Sequence, residues 1–306
     1  MQTGAASKHN HVSFQWITGS FSKQATEGVE KVLVSMYIDG EAAPSLTFFP
    51  YEFTGGSGLD SYNRTLAIPA TTWTADLWGR NSATSWTNSF LIPFGTSLRI
   101  TLKYVGTVDP GAYVYYQAHG VLDAHAASFG KVPLPATARL VVQRQALTLP
   151  GLGYLNVSQF SRGQAGLVAA LALAFVAPNL NTLEGCFHFF PTAATPYPGQ
   201  LHSTGTEDEF LSSYYFDLGL FASRSAGLLY KAAGDLPHGG TSASAAMWRT
   251  YQDDPMLFSD GGAFTWRNGD TVEAATGIKC ILREGGTPVG SPQLADVTAL
   301  TWNYVW

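Results

Sequence analysis

The stretch Leu167-Val-Ala-Ala-Leu-Ala-Leu-Ala-Phe-Val-Ala177 is the longest apolar run of the chain. It is shorter than the ~20 residues that a helix needs to cross a bilayer. A short continuous apolar run is typical of a strand that lies in a core. The run therefore predicts a buried strand over residues 167–176, and it excludes a membrane as partner.

Strands are also predicted on both sides of this run. In Ser97-Leu-Arg-Ile-Thr-Leu-Lys-Tyr104, apolar and polar residues alternate, which indicates a half-buried strand. Strands at residues 32–38 and 264–267 run into Asp39-Gly40 and Asn268-Gly269, two pairs that are typical of hairpin turns. Further strands are predicted at residues 113–119, 140–143, 186–190, 277–282 and 297–305.

Many short strands without a long helix between them predict an all-β fold. No repeat of roughly 40 residues recurs, which favours sandwiches or jelly rolls over a propeller. The segment Val132-Pro-Leu-Pro-Ala136 and the glycine-rich residues 151–153 mark a seam in the chain. We therefore predict two stacked β domains, residues 1–145 and residues 146–306.

Charge and termini limit the classes of partner. Charged residues make up only 13% of the chain, the net charge is −5, and no cluster of Lys and Arg is present. Nucleic acid is therefore excluded as a partner, since its binding depends on such clusters. We expect a neutral partner, either a sugar or another copy of the chain.

Residues 1–8 lack the apolar core of a signal peptide. This predicts a cytosolic start, or a start that has been processed or engineered. A processed form leaves an extracellular location open.

No metal or cofactor is predicted. His9 and His11 have the spacing of metal ligands, but no third ligand accompanies them. The sequence contains no phosphate loop, dinucleotide fingerprint or nucleophile elbow. Cys186 and Cys280 form either one disulfide or two buried thiols, and so small a number of cysteines favours the thiols.

Two acidic residues carry the strongest chemical signal. Glu207 lies in His202-Ser-Thr-Gly-Thr-Glu-Asp-Glu-Phe210, and Glu184 lies upstream in Leu183-Glu184-Gly185. A pair of carboxyl groups on one pocket is the minimum requirement for hydrolysing a glycosidic bond. Taken alone, however, a Glu at the start of a strand is more often a solvated edge residue, and Thr-Gly-Thr-Glu-Asp is equally consistent with a turn.

A set of short motifs gives these residues a context. The motifs are, in order, Tyr37-Ile-Asp-Gly-Glu41, Pro44-Ser45, Ile92-Pro-Phe94, Leu183-Glu-Gly185, Thr204-Gly-Thr-Glu-Asp208, Trp248-Arg249, Asp254-Pro255 and Phe258. In this order the chain resembles glycoside hydrolase family 172, from about Val12 to Trp306. The resemblance implies two tandem β-jelly-roll domains and homo-oligomers, commonly trimers or hexamers. It also implies retaining hydrolysis of α-linked furanosides such as D-fructofuranosides and D-arabinofuranosides.

The resemblance also implies roles for the two acids. The glutamate of the Leu-Glu-Gly element is the nucleophile in that family, and the glutamate of the Gly-Thr-Glu-Asp element is the acid/base. In this chain these are Glu184 and Glu207. We expect Glu184 to begin a strand and to share a face with Cys186 and His188. Repulsion from Asp208 or Glu184 is expected to raise the pKa of Glu207.

Other side chains are predicted to bind substrate: Asp208, Glu209, His188 and Arg249. Arg249 is expected to steady Asp208 or a substrate hydroxyl, and Tyr214-Tyr-Phe216 to supply a stacking face for a sugar. Two positions depart from the family pattern. Glu209 stands where relatives usually have an aromatic residue, and Arg249-Thr-Tyr251 where they often have Arg-Trp-His. We expect the extra carboxylate to shift the pKa of the acid/base, and the absent His to remove a substrate hydrogen bond.

Two other classes of function stay open. The first is a double-jelly-roll structural protein that self-assembles into a trimer, a hexamer or a larger shell, with lost or vestigial glycosidase activity. Jelly rolls are common shell-building units, and a low surface charge suits self-association. The second is a non-catalytic sugar-binding module.

Overall fold

The computed structural model describes residues 9–20, 32–49, 52, 73–74, 77–82, 85–105, 112–124, 127–235 and 241–306. Strands, numbered in chain order, account for most of these residues, which confirms the all-β prediction. The first eleven are β1 (His9–Ser20), β2 (Val32–Ile38), β3 (Leu46–Phe48), β4 (Trp73–Thr74), β5 (Trp78–Ser82), β6 (Ser85–Phe94), β7 (Leu98–Tyr104), β8 (Ala112–Ala124), β9 (Ala127–Phe129), β10 (Val132–Leu134) and β11 (Arg139–Leu149). The others are β12 (Tyr154–Phe160), β13 (Gly166–Ala177), β14 (Phe187–Phe190), β15 (Gln200–Ser203), β16 (Phe221–Ala222), β17 (Ala226–Asp235), β18 (Thr241–Thr250), β19 (Met256–Phe258), β20 (Gly262–Arg267), β21 (Thr271–Val272), β22 (Thr287–Pro288) and β23 (Ala295–Val305).

Helical structure between the strands is short. The site described below contains a 3₁₀ helix, Leu180–Glu184, and a single α-helical turn, α1 (Thr206–Glu209). In the part of the chain that the structure describes, no helix is both long and apolar enough to span a bilayer.

The strands form antiparallel sheets. A seven-stranded sheet has the order β11-β23-β13-β18-β17-β16, with β19 also paired to β13. A four-stranded sheet has the order β12-β20-β14-β15. The N-terminal strands form a five-stranded sheet, β4-β5-β6-β1-β8, and a three-stranded sheet, β3-β2-β7. Two hairpins, β9-β10 and β21-β22, complete the set. This architecture is an all-β, jelly-roll-like fold.

Strand β13 lies at the centre of the molecule and confirms the strand predicted over 167–176. Its alternate side chains enter two different hydrophobic cores: Leu167, Ala172 and Ala174 face the first, and Leu171 and Leu173 face the second. Such two-sided burial explains the continuous apolar run, because a strand with no solvent-facing side has no place for polar side chains.

The seven-stranded sheet is therefore the middle layer of the molecule. On one face, the N-terminal Trp78 packs edge-on against Trp302, with ring centroids 4.7 Å apart, and against Trp248 at 5.6 Å. On the other face, the Ser158 hydroxyl of β12 lies 2.6 Å from the Thr301 hydroxyl of β23. Both faces bury large apolar areas, which stabilise the fold by roughly 25 cal/mol per Å².

The predicted division into residues 1–145 and 146–306 falls inside β11, which pairs with β23 along its whole length. The first hydrophobic core includes residues from both sides of that division. The assignment of two tandem jelly-roll domains stays a prediction.

Most predicted strands are confirmed, and one is wrong. Residues 277–282 form a loop with an isolated bridge between Val272 and Lys279. Gly277 and Cys280 both have φ of 70°, a left-handed backbone conformation that an extended strand does not contain. The prediction about residues 1–8 lies outside the described residues, and the side chains of His9 and His11 do as well.

Candidate active site

Glu184 is the last residue of the 3₁₀ helix Leu180–Glu184, which corrects the expectation that it begins a strand. Asn179 is the N-cap that precedes the helix, and its side-chain oxygen accepts a hydrogen bond from the backbone N–H of Asn181 at 3.0 Å. Gly185 is the C-cap that follows the helix, and an added Cβ there would lie 1.7 Å from the carbonyl oxygen of Arg267. This close approach requires glycine, and it holds the Glu184 backbone against the end of β20.

The Glu184 carboxylate has two partners. The Lys279 ammonium group contacts Oε2, and the Tyr215 hydroxyl donates to Oε1. The Glu184 side chain is 16% exposed, so it is shielded from bulk water but still reachable. Contacts of this kind, from a cation and from a hydroxyl donor to a carboxylate, are stronger than those between neutral groups.

Lys279 reaches Glu184 because a disulfide joins the neighbouring residues. Cys186 and Cys280 are bonded to each other, with Cα atoms 5.9 Å apart and a sequence separation of 94. The interpretation as two free thiols is therefore wrong, since the loop that carries Cys280 folds back onto the residue after Gly185. The disulfide fixes the loop that presents Lys279.

The second acid, Glu207, lies on the α1 turn. Thr206, the first residue of α1, is fully buried and donates a hydrogen bond to the Gly185 carbonyl at 3.0 Å. The Thr206 hydroxyl in turn accepts a hydrogen bond from the indole of Trp266 at 2.8 Å. These bonds hold α1 beside the end of the 3₁₀ helix, so the two glutamates come from adjacent elements.

Glu207 has an environment that favours its protonated form. Burial raises the pKa of Glu207, and the negative charges of Asp208 and Glu184 raise it further, while hydrogen bonds from backbone N–H groups partly oppose this. Its Oε2 atom is buried with no hydrogen-bond partner among the described residues. The expected direction of the shift is confirmed, but burial rather than charge repulsion is the largest cause.

Tyr215 connects the two acids. Its backbone N–H donates to Glu207 Oε1 at 3.2 Å, while its hydroxyl donates to Glu184 Oε1. The pKa of the Tyr215 hydroxyl is raised by burial first, and then by its hydrogen bond to Glu184 and the charges of both glutamates. A hydroxyl that stays protonated remains a donor to Glu184 over the whole useful pH range.

The predicted stacking face is divided among different environments. Tyr214 is 79% exposed, Tyr215 is half-buried at the two carboxyl groups, and Phe216 is buried in the second core. All three have positive φ, between 47° and 58°. Left-handed backbone is unfavourable for bulky residues, and it is often found at functional sites.

Asp208 lies beside Glu207 and is half-buried. Its Oδ2 atom accepts a hydrogen bond from the Thr204 hydroxyl at 2.7 Å. Arg249, which was expected to steady Asp208, is directed instead to Glu209: its Nη1 atom donates to the Glu209 carbonyl at 2.7 Å and lies 3.5 Å from Glu209 Oε1. Its predicted contact with a substrate hydroxyl stays a prediction.

Glu209 is fully buried, although it is only two residues from Glu207. The Tyr251 hydroxyl donates to its Oε1 at 2.5 Å, and Nδ1 of His202 lies 3.5 Å from its Oε2. The two positions that depart from the family pattern, Glu209 and Tyr251, thus contact each other. Glu209 is not among the largest causes of the shift in the pKa of Glu207.

His188 is also fully buried. Its Nδ1 atom lies 2.9 Å from the Pro198 carbonyl oxygen, and its Nε2 atom lies 3.4 Å from the Tyr197 hydroxyl. Burial lowers the pKa of His188, although the Pro198 carbonyl and the charge of Asp270 oppose this. The roles of His188 and Glu209 in substrate binding stay predictions.

Comparison with known proteins gives no family assignment. No family model matches the chain, and no curated protein matches it. Among solved structures, one is described as the structure of infectious bursal disease virus Gt strain. The chain is 8% identical to it, and the match covers 98% of this chain and 66% of that one with a TM-score of 0.12. This chain therefore spans slightly less than two thirds of the length of that structure, and the similarity is too low to carry an argument.

Proposed function

We propose that this chain is a retaining glycoside hydrolase that acts on α-linked furanosides, of the fructofuranoside or arabinofuranoside type. Glu184 acts as the nucleophile and Glu207 as the acid/base. The observation that carries the proposal is that both carboxyl groups accept hydrogen bonds from the same residue, Tyr215, one from its hydroxyl and one from its backbone N–H.

The environments of the two acids support this division of roles. A retaining glycosidase needs one ionised carboxylate to attack the anomeric carbon, and one protonated carboxyl group to protonate the leaving oxygen. Glu184, in the role of the nucleophile, has a cation and a hydroxyl donor on its oxygens, which are the partners that a carboxylate takes. Glu207 has a raised pKa, which favours the proton that a general acid must donate.

In the first step, the Glu184 carboxylate forms a bond to the anomeric carbon while the glycosidic bond breaks and the leaving oxygen takes the proton from Glu207. In the second step, Glu207 removes a proton from water, and the resulting hydroxide displaces Glu184 from the sugar. Lys279 and Tyr215 stabilise the carboxylate of Glu184 when it leaves. No metal or other cofactor takes part in this scheme.

The two roles predict different kinetics for Glu184→Gln and Glu207→Gln. On an alkyl or disaccharide α-furanoside, both variants should lose activity. The loss in Glu207→Gln, which lacks the general acid, should be about 10²–10⁴-fold. On an aryl α-furanoside, whose leaving group needs no protonation, Glu207→Gln should release a burst of phenol before turnover stalls. Glu184→Gln should give no burst. The burst is measured by stopped-flow absorbance as the release of p-nitrophenol from p-nitrophenyl α-D-arabinofuranoside and p-nitrophenyl α-D-fructofuranoside.

Glu284→Gln is the matched control, since Glu284 is an exposed glutamate outside the site. Its activity should equal that of the unchanged protein. Full activity of either site variant would contradict the proposal. An experimental structure with the two carboxyl groups more than about 10 Å apart, instead of the ~5–5.5 Å of retaining enzymes, would also contradict it.

A self-assembling structural protein is the second candidate, and one observation favours it. Residues 211–220 expose Leu211, Tyr214, Leu218 and Leu220 next to α1, and the Leu218 side chain is 96% exposed. Large apolar side chains grouped on a surface are typical of protein–protein contacts.

Light scattering tests whether the chain self-assembles. A self-assembling chain should form a trimer, a hexamer or a larger particle, and Leu218→Lys should dissociate it. Leu257→Lys, on the exposed face of β19, is the control and should leave the assembly intact. A monodisperse monomer of the unchanged protein would contradict self-assembly without affecting the test of hydrolysis.

A further inference from the structure

A groove lies on the outer face of the four-stranded sheet. Its volume is about 390 Å³, within the range of small-molecule sites, and its lining includes neither Glu184 nor Glu207. Leu155 of β12 and Phe264 of β20 point into the second core. Their neighbours Tyr154 and Thr265, on the opposite side of the same strands, line the groove.

Two tyrosines form a fixed wall of this groove. The rings of Tyr154 and Tyr197 meet edge to face, with centroids 6.3 Å apart and planes at 86°. The Tyr154 hydroxyl donates to the carbonyl of Arg283 at 3.2 Å, and the Tyr197 hydroxyl donates to the carbonyl of Cys280 at 3.2 Å. Because hydrogen bonds hold both rings in place, a ligand would meet a rigid aromatic surface and would not have to order it.

The rest of the lining combines polar and apolar side chains. Amide and hydroxyl groups come from Asn156, Gln159, Thr192, Thr195 and Thr265, and Phe160 and Phe190 add aromatic surface. Among the described residues of the lining, Arg283 alone carries a charge. A phosphorylated or other strongly anionic ligand would need more than one cation, whereas a purely apolar ligand would leave unused the donors and acceptors that these amides and hydroxyls offer beyond their bonds to one another and to His188.

The geometry points to a binding site for a neutral carbohydrate in this groove, separate from the pair Glu184 and Glu207. Sugars combine apolar C–H faces that pack on aromatic rings with hydroxyl groups that pair with amides and hydroxyls. The groove offers both kinds of contact side by side, from strands β12 and β20 and from residues 192–197, which connect β14 to β15.

One short segment connects this groove to the candidate active site. Lys279 contacts Glu184, Cys280 is disulfide-bonded to Cys186, and Arg283 lines the groove. A site at this position can hold one part of a polysaccharide while another part reaches the acids. Only this role in holding a substrate for cleavage rests on the proposed function; binding in the groove does not.

Two neighbouring alanines give a sharp test. Ala193 and Ala194 are both exposed, but only Ala193 lines the groove. Ala193→Trp should therefore fill the groove, and Ala194→Trp is the matched control. Each change is made in the full chain that also carries Glu184→Gln and Glu207→Gln, so that no probe is hydrolysed. Asn156→Ala, which removes an exposed polar group of the lining, is an independent second variant.

The probes are oligosaccharides of α-linked D-arabinofuranose and of α-linked D-fructofuranose, titrated by calorimetry. We expect one binding event per chain to weaken by roughly tenfold or more in Ala193→Trp and to stay unchanged in Ala194→Trp. A smaller loss is expected in Asn156→Ala. Circular dichroism checks that each variant is folded.

Other outcomes separate the two proposals. If neither probe shows binding that Ala193→Trp weakens, or if both tryptophan variants weaken it equally, the carbohydrate site is overturned. If Ala193→Trp abolishes binding and the hydrolysis assays show no activity, the groove stands and the proposed hydrolase falls. If hydrolysis is observed and both tryptophan variants bind the oligosaccharides as tightly as the chain with the unchanged groove, the proposed hydrolase stands and the carbohydrate site falls.

Discussion

Glu207 is the residue whose proton the proposed reaction depends on. Burial, Asp208 and Glu184, in that order, raise its pKa. The general acid must be protonated, so kcat/KM should fall as pH rises through the pKa of Glu207. Asp208→Asn removes one negative charge and keeps an oxygen that can accept from Thr204. We expect the alkaline limb of the pH profile to move to lower pH, while burial keeps part of the shift.

Asp217→Asn is the control for this change. Asp217 is exposed on the following loop and is not among the largest causes of the shift in the pKa of Glu207. Its alkaline limb should coincide with that of the unchanged protein. An alkaline limb in Asp208→Asn that is unmoved, or that moves to higher pH, would refute the assignment of Glu207 as the acid.

Motifs predicted the two glutamates, but only folding revealed their partners. Lys279 is 95 residues from Glu184, and the contact depends on the disulfide, which no local pattern predicts. Glu209 was expected next to Glu207 because the two are close in sequence. Residues two apart on a helical turn point in different directions, so Glu209 faces the core while Glu207 faces the site.

Among the elements, the segment 211–220 has the least favourable backbone. Tyr214 has φ of 47° and an exposed side chain, so it gains little from packing to offset the cost of a left-handed conformation. That cost is roughly 1–2 kcal/mol for a residue with a Cβ, and glycine does not have it. Tyr214→Gly should therefore increase the free energy of unfolding by ~1 kcal/mol, as measured by urea denaturation.

Tyr214→Ala is the matched control for this effect. It removes the same ring but keeps the Cβ, so the backbone cost remains and stability should not increase. Equal stability of the glycine and alanine variants would mean that the ring, and not the backbone, determines the outcome.

The strands differ in how well the sequence predicted them. Strand β2 matches the predicted residues 32–38, because its side chains alternate between buried and half-buried over its whole length. Residues 277–282 contain apolar side chains as well, but the left-handed Cys280 and its disulfide turn the chain out of any strand. Pattern-based prediction reflects burial, and it has no access to a covalent bond between distant residues.

On the scale of the whole molecule, the shared core predicts one cooperative unit. Trp248 and Trp302 belong to the C-terminal half and are fully buried against Trp78 of the N-terminal half. Unfolding one half would expose these rings. We therefore expect a single thermal transition, with a ratio of calorimetric to van't Hoff enthalpy near one.

Tryptophan fluorescence and far-ultraviolet circular dichroism should show the same midpoint in this experiment. Two resolved transitions would instead support independent domains at residues 1–145 and 146–306, and would show that the contacts of Trp78 are too weak to couple them.

The position of β13 between two cores also has an evolutionary consequence. Ala172 lies opposite Trp248 on one neighbouring strand and Leu300 on the other, so a small residue makes room for large ones. A larger residue at this position requires a compensating change on an adjacent strand. Diverging copies of this gene should therefore change β13 slowly, and in correlated pairs of small and large residues. That covariation would allow distant descendants to be aligned even after the residues around Glu184 and Glu207 have diverged.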